Sequence, residues 1–230
     1  MKYPEDFIDK VICGDCLDIM RKMPDESVDL CIADPPFNIG KDYGKFDDGK
    51  NEEIYWHWIE SRIKEIYRVL KQGSRFYIFH IDDGIFKLRP ICEKYDFKFH
   101  QLLIWYRPNL IGRKRIGKSW NCMHENILLF HKGKRTKMLS NRNVNCFNVF
   151  IYPSPQSNFK GGRDHAAQKP IGLLADMISR TPGEIILDPF CGVGTSLIAA
   201  KNLSRNFIGI EINQEYCNIS NEKLKQGIIK

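Results

Sequence analysis

Two runs of this sequence place chemically useful residues at what read as strand ends. In EIILDPFCGVGTSLIAA, residues 184–200, an apolar stretch runs into Asp188, Phe190 follows, Gly192 and Gly194 make a tight turn, and Thr195 and Ser196 open a helix. Glycine lets a backbone approach a ligand where any Cβ would collide, and a helix N-terminus offers N–H donors that have no partner within the helix. Glu211 stands nineteen residues after Gly192, at the end of a second apolar run, about where an acid accepts from ribose hydroxyls. Together they describe a nucleoside-binding edge. A GxG alone also serves plain strand-to-helix turns, and it is the spaced acid that favours a ligand. A dinucleotide enzyme shares loop and acid, but its fingerprint has a third glycine where this chain has Leu197. The loop therefore suits a smaller, cationic nucleoside whose sulfonium and amino groups favour carboxylates such as Asp188.

The second run is SVDLCIADPPFNIG, residues 27–40, which sets Asp34 at the carboxyl end of a buried strand. Ligands of open α/β sheets bind at that edge. Pro35 and Pro36 fix the backbone and leave carbonyls without neighbouring N–H groups to pair with, and Phe37 follows. A carboxylate, a carbonyl and an aromatic ring make a holder for a planar ring bearing an amino group. The first two accept from the NH₂ and the third stacks on the ring. The plainer alternative is a strand ended by an N-cap Asp and a proline turn.

These runs need a scaffold, and the hydrophobic pattern supplies one. Strand patterns cover Lys10–Gly14, Val28–Ala33, Arg75–His80, Phe97–Trp105, Ile127–His131, Glu184–Leu187 and Asn206–Ile210, seven in all. Helical patterns fall between them at Glu52–Leu70, Pro170–Arg180, Thr195–Asn202 and Gln214–Gln226. Alternation of this kind predicts an α/β fold with a mostly parallel sheet covered on both faces. At 230 residues and 43% hydrophobic content a single domain over 1–230 is expected. Two polar stretches break the rhythm: 38–51 reads as a loop beside Asp34, and 132–164 as a long insertion of the functional kind.

Composition narrows the classes further. The net charge of +7 favours a polyanionic partner. No secretory signal opens the chain and no apolar run is long enough to span a bilayer, so a cytoplasmic location without membrane contact is expected. Eight cysteines without an export signal read as reduced. Cys13 and Cys16 form a CxxC, but no second ligand pair completes a zinc site.

Three motifs now resemble one family. Asp34-Pro35-Pro36-Phe37 resembles the catalytic tetrapeptide of amino-group DNA methyltransferases. The run from Asp188 to Thr195 resembles their S-adenosylmethionine loop, and His165-Ala166-Ala167-Gln168-Lys169-Pro170 resembles the segment before it. Catalytic motif first and cofactor loop last is similar to the β-class order, over about residues 11–216. Phe37 stands where Tyr is commoner, and Ala166-Ala167 where Pro-Thr is more usual.

The resemblance implies a Rossmann-like methyltransferase fold of seven mostly parallel strands in circularly permuted order. The cofactor-loop strand is central, flanked by the Glu211 strand and then the N-terminal strand on one side and by the Asp34 strand on the other. Asp188, Gly192 and Gly194 line the methionine part of the cofactor, with Phe190 and Thr195 beside them. Glu211 holds the ribose, Asp15 the adenine, and Lys169 the cofactor carboxylate.

The substrate it implies is double-stranded DNA, with the base flipped into the pocket and the methyl passed in line to an amino nitrogen held by Asp34 and the Pro35 carbonyl. Adenine N6 is favoured because cytosine-N4 enzymes commonly carry Ser at the first motif position; cytosine N4 is the alternative, and RNA or protein amines a more distant one. A homodimer and a cognate restriction endonuclease are further partners of that reading. Between 107 and 142 a basic run nominates Arg113, Lys114, Arg115, Lys134, Arg135 and Lys137 as DNA contacts, although a charge run is also an ordinary solvated face.

Overall fold

The computed structural model describes residues 1–40, 48–109, 120, 122–139, 147–155 and 168–226. In chain order it contains β1 (Lys10–Cys13), α1 (Cys16–Met20), β2 (Val28–Ala33), α2 (Glu52–Val69), β3 (Leu70–His80), α3 (Asp82–Lys94), β4 (Phe97–Tyr106) and β5 (His124–Lys132). It continues through β6 (Val149–Ile151), α4 (Ile171–Ser179), β7 (Ile185–Asp188), α5 (Thr195–Asn202), β8 (Asn206–Glu211) and α6 (Gln214–Lys225).

The strands form one sheet in the order β1-β8-β7-β2-β3-β5-β4-β6. Only β5 runs against its neighbours. The cofactor-loop strand β7 therefore pairs with β8 on one side and β2 on the other, with β1 beyond β8, the permuted order the motifs imply. The sheet has eight strands among the described residues, not seven. The extra one, β6, pairs with β4 at the edge and lies inside the stretch 132–164 expected to be an insertion without elements of its own. Three residues with an exposed face carry too little pattern to be seen in sequence.

Two apolar layers cover the sheet. Phe7, Met20, Ile59, Ile63, Ile66 and Leu88 belong to one cluster, so α1, α2 and α3 lie on that face. Leu173, Met177, Leu197 and Ala200 belong to the other, so α4 and α5 cover the opposite face. α2 shows why a helix forms there: Asn51 accepts from Glu53 N at 2.9 Å, Glu52 and Glu53 fill the first turn, and Tyr55, Ile59, Ile63 and Ile66 make the buried stripe. α1 and α3 went unseen. The α3 seam is only Gly84, Leu88 and Cys92, and Pro90 inside the helix disguises it. No helix among the described residues is long and apolar enough to cross a membrane.

Candidate active site at the carboxyl edge of the sheet

β2 and β7 are hydrogen-bonded neighbours, with Leu30 opposite Ile186 and Cys31 opposite Leu187, so Asp34 and the glycine loop leave the sheet side by side. Between them opens a pocket of about 1050 Å³, mouth included. Asp34 and Pro36 form one wall; Asp188, Phe190, Gly192, Thr195 and Glu211 form the facing one. Asp15, Trp58, Arg62, Lys169 and Tyr216 close the rest.

The two glycines of the loop do different work. Gly192 has φ +51°, and a Cβ built there meets nothing within 4 Å, so its missing side chain leaves room on the pocket side. Gly194 has φ +80°, and a Cβ there would sit 2.0 Å from Ser220 Oγ, so it permits α5 to pack on α6. Leu197, at the third position of the dinucleotide pattern, presses on Gly209 of β8, whose Cβ would lie 2.3 Å from Leu197 Cδ1. Close helix-to-strand packing is kept, with the glycine moved onto the strand.

Two acids brace this loop. Glu211 Oε2 accepts from Gly192 N at 2.9 Å and Oε1 from Asn213 N at 2.8 Å, and burial raises its pKa despite those bonds. Asp188 is buried, accepts from Phe190 N at 2.9 Å and from the Ser196 hydroxyl, and is pushed up to about 7, first by burial and further by the charges of Asp34 and Glu211. A buried carboxyl held so high marks a place where a cationic ligand would be welcome. Opposite, Asp15 caps α1 through Leu17 N at 2.7 Å and takes Arg62 Nη2 on both oxygens at 2.9 and 2.7 Å. Arg62 also lies 4.2 Å over the Trp58 ring, which faces Phe190 at 5.8 Å. Trp58 and Phe190 are in tilted contact and give this end of the pocket an apolar, aromatic lining.

On the Asp34 side, Lys169 Nζ donates to Asp34 Oδ2 at 2.6 Å and reaches Glu125 Oε2 at 3.1 Å. Burial disfavours the ammonium, but the two carboxylates outweigh it and its pKa rises. Arg107 extends the chain, donating to Glu125 Oε1 at 2.8 Å. Tyr55 hydroxyl donates to the Pro36 carbonyl at 2.7 Å and pairs with His80 Nε2 at 2.9 Å, which pins the proline pair to α2 and β3. Burial holds the His80 imidazole down at about 4, so it is neutral near pH 7. Beyond the prolines, Asp48 accepts from Asn38 N at 2.7 Å and Ile39 N at 3.1 Å, closing the base of the loop whose residues 41–47 lie outside the described set.

The family model described as "DNA methylase", covering N6 and N4 methyltransferases, matches residues 28–222, which takes in both walls of the pocket. The chain belongs to this DNA methylase family. Among curated relatives, the type II methyltransferase M.HpaI of Haemophilus parainfluenzae is 33% identical over 94% of this chain and 74% of its own length. The DNA adenine methyltransferase YhdJ of Escherichia coli K12 is 31% identical over 93% of this chain and 82% of its own. The solved complex of M1.HpyAVI with S-adenosylmethionine superposes with a TM-score of 0.76 over 94% of this chain and 98% of that one. At 24% identity that likeness is one of fold, and it makes the sheet of this methylase the S-adenosylmethionine-dependent methyltransferase fold.

Several of the expected residues sit elsewhere than their motif suggests. Phe37 is 6% exposed, with its ring 4.9 Å from that of His80; it packs beneath the pocket and is absent from its wall. Lys169, which lines the pocket, meets Asp34 and Glu125, the anionic partners that a buried ammonium needs. Lys134, Arg135 and Lys137 follow the end of β5, next to the start of β3, whereas Asp34 stands at the opposite edge. The five steps from His131 to Asn126 span about 17 Å at about 3.3 Å each, so these cations do not line the rim of the Asp34 pocket. Arg113, Lys114 and Arg115 lie outside the described residues, between Asn109 and Trp120. Sequence reading missed Trp58, Arg62, Tyr55, His80 and Glu125. The first three look like the amphipathic stripe of α2, and only Arg62 at a stripe position signalled more.

Proposed function

We propose that this methylase transfers the methyl group of S-adenosylmethionine to adenine N6 in duplex DNA. One observation carries the reading: the Asp34 carboxylate and the Gly192 cradle leave adjacent strands and open into one pocket. The residues present fit the cofactor. Gly192 leaves room that a Cβ would fill, Asp188 and Glu211 supply carboxyl groups that a cationic ligand would favour in their charged form, and Trp58 and Phe190 supply an aromatic lining for the adenine ring. When bound, S-adenosylmethionine supplies an activated methyl group.

The chain's own residues do the rest. An aromatic amine is a weak nucleophile because its lone pair is delocalised into the ring. Asp34 accepts from the amine and favours its pyramidal form, and the carboxylate stabilises the positive charge that develops on nitrogen. Lys169 acts as a positioning residue that holds Asp34 in place. Tyr55 fixes the Pro36 carbonyl, and so the backbone that presents Asp34. Phe37, beneath the motif, supports this geometry and reaches a flipped base only if its ring turns out from His80.

The reading puts DNA on the carboxyl edge, where Asp34 opens into the pocket and where β4 ends and β5 begins. In this reading Arg113, Lys114 and Arg115 contact the backbone from 110–119, and part of 132–164 recognises the target. A second copy and a cognate restriction endonuclease are partners consistent with the relatives of type II name. Adenine is favoured over cytosine N4 by Asp34, whose charged acceptor is stronger than a hydroxyl, and by the adenine activity in the name of YhdJ. Digestion of methylated DNA to nucleosides tests the reading: N6-methyladenine is expected, and N4-methylcytosine alone would overturn the base while keeping the fold.

A further inference from the structure

At the edge of the sheet opposite Asp34, a second cavity is lined by Arg75, His100, Arg135, Thr136, Lys137 and Met138. Arg75 is 1% exposed. Its Nη2 donates to the Thr136 carbonyl at 2.6 Å, while Nε and Nη1 are buried without a hydrogen-bond partner among the described residues. The charges that act on it are Tyr77 and Arg135; no carboxylate is among them. A buried, half-satisfied guanidinium is expensive unless something negative completes it.

His100 is the residue left over where the β4–β5 register shifts between Phe99 and Gln101, and such a bulge re-aims a side chain. Its Nε2 lies 2.9 Å from Arg135 Nη1. A guanidinium only donates, so Nε2 accepts and the ring proton is on Nδ1, which is also buried and unpartnered. Three donors, Arg75 Nε and Nη1 and His100 Nδ1, thus have no acceptor among the described residues. The charged neighbours of nearby His131 are Arg135, Arg75 and Lys98, all cations. The cover over these groups is fastened. Gly73 has φ +82°, a Cβ there would lie 2.7 Å from Thr136 Cγ2, and Thr136 Oγ1 donates to the Gly73 carbonyl at 3.0 Å.

We propose that this cavity is a second binding site of the chain, specific for a phosphate-type oxyanion, with Arg75 and His100 as its floor and Arg135 and Lys137 as its rim. A tetrahedral anion presents several acceptors at once, and charge-assisted bonds to a guanidinium fork are about twice as strong as neutral ones. Two sources share this chemistry: a free phosphate compound, or a backbone phosphodiester of DNA that extends past the carboxyl edge. The site does not depend on the methyl-transfer reading, since none of its residues lines the first pocket.

Calorimetric titration of the whole chain with inorganic pyrophosphate at fixed ionic strength tests it. Saturable one-to-one binding is expected, weakened about tenfold or more in an Arg135→Gln, Lys137→Gln variant and in Arg75→Met, as loss of a charge-assisted bond implies. Circular dichroism checks that each variant is folded, and should Arg75→Met unfold, the exposed rim pair carries the test. A parallel arm measures binding of a short duplex to the same proteins. Weakened duplex binding, with pyrophosphate competing, identifies the DNA backbone as the source; unchanged duplex binding identifies a free phosphate compound. Absence of saturable pyrophosphate binding, or equal binding by wild type and rim variant, overturns the proposal.

Discussion

Lys169→Met would remove the ammonium that Asp34 and Glu125 share in the folded chain. The ammonium is 2.6 Å from Asp34 and 3.1 Å from Glu125, with its own side chain 6% exposed. Removing one partner of a buried pair costs about 3–5 kcal/mol, because the remaining charge loses its counterion without regaining water. Asp34 and Glu125 keep 22% and 13% of their side-chain surface, so solvent screens part of the loss and the low end, about 3 kcal/mol, applies. In a chain of this length that is a fall of roughly 6–12 °C in Tm. Scanning calorimetry measures it. A loss under about 1 kcal/mol, with methyl transfer intact, would refute the view that Lys169 holds Asp34.

Other outcomes follow from the same geometry. Glu211→Ala removes an acceptor shared by Gly192 N and Asn213 N and should weaken S-adenosylmethionine binding about tenfold or more, as calorimetry would show; unchanged affinity would place the ribose elsewhere. Gly192→Ala forces a Cβ residue to φ +51°, costing roughly 1–2 kcal/mol of stability, and the added methyl should also lower cofactor affinity, which urea unfolding and binding titration separate. Asp188, raised from 3.8 to about 7 by burial, holds a proton in the folded cofactor-free protein that the unfolded chain has released. Its stabilising contribution is therefore full below the unfolded value and lost as pH rises through about 7. Unfolding titrations across that range should show the decline, and Asp188→Asn should flatten it. Tyr55→Phe deletes the bond to the Pro36 carbonyl and should cost about 1 kcal/mol, with turnover falling more than cofactor affinity.

Much of this was readable before any coordinates. The runs that end in Asp34, Asp188 and Glu211 are buried strands whose apolar content is nearly continuous, so pattern alone located them and motif order arranged them. What stayed hidden was whatever depends on a partner far along the chain. Glu125 lies in an apolar strand and looks like an ordinary edge acid until Lys169, forty-four residues later, is folded onto it. Tyr55, Trp58 and Arg62 share the spacing of a core-facing stripe, which periodicity cannot divide between core and pocket. Phe37 followed the motif but settled against His80, a contact set by the register of β3. Lys134, Arg135 and Lys137 were grouped with Arg113, Lys114 and Arg115 by sequence distance. β5 carries the chain away from the Asp34 edge, so Lys134, Arg135 and Lys137 come to lie at the opposite one.

The central claim, that Asp34 performs the chemistry while the glycine loop holds the cofactor, is tested most directly by Asp34→Asn. Labelled methyl transfer to unmodified DNA and calorimetric binding of S-adenosylmethionine would be measured on the same preparation. The account predicts that transfer falls about a hundredfold or more, as for loss of a group that stabilises developing charge, while cofactor affinity changes by less than about threefold, roughly 0.6 kcal/mol, because Asp34 faces the substrate amine. Near-normal transfer, or a cofactor affinity that collapses together with it, would contradict it.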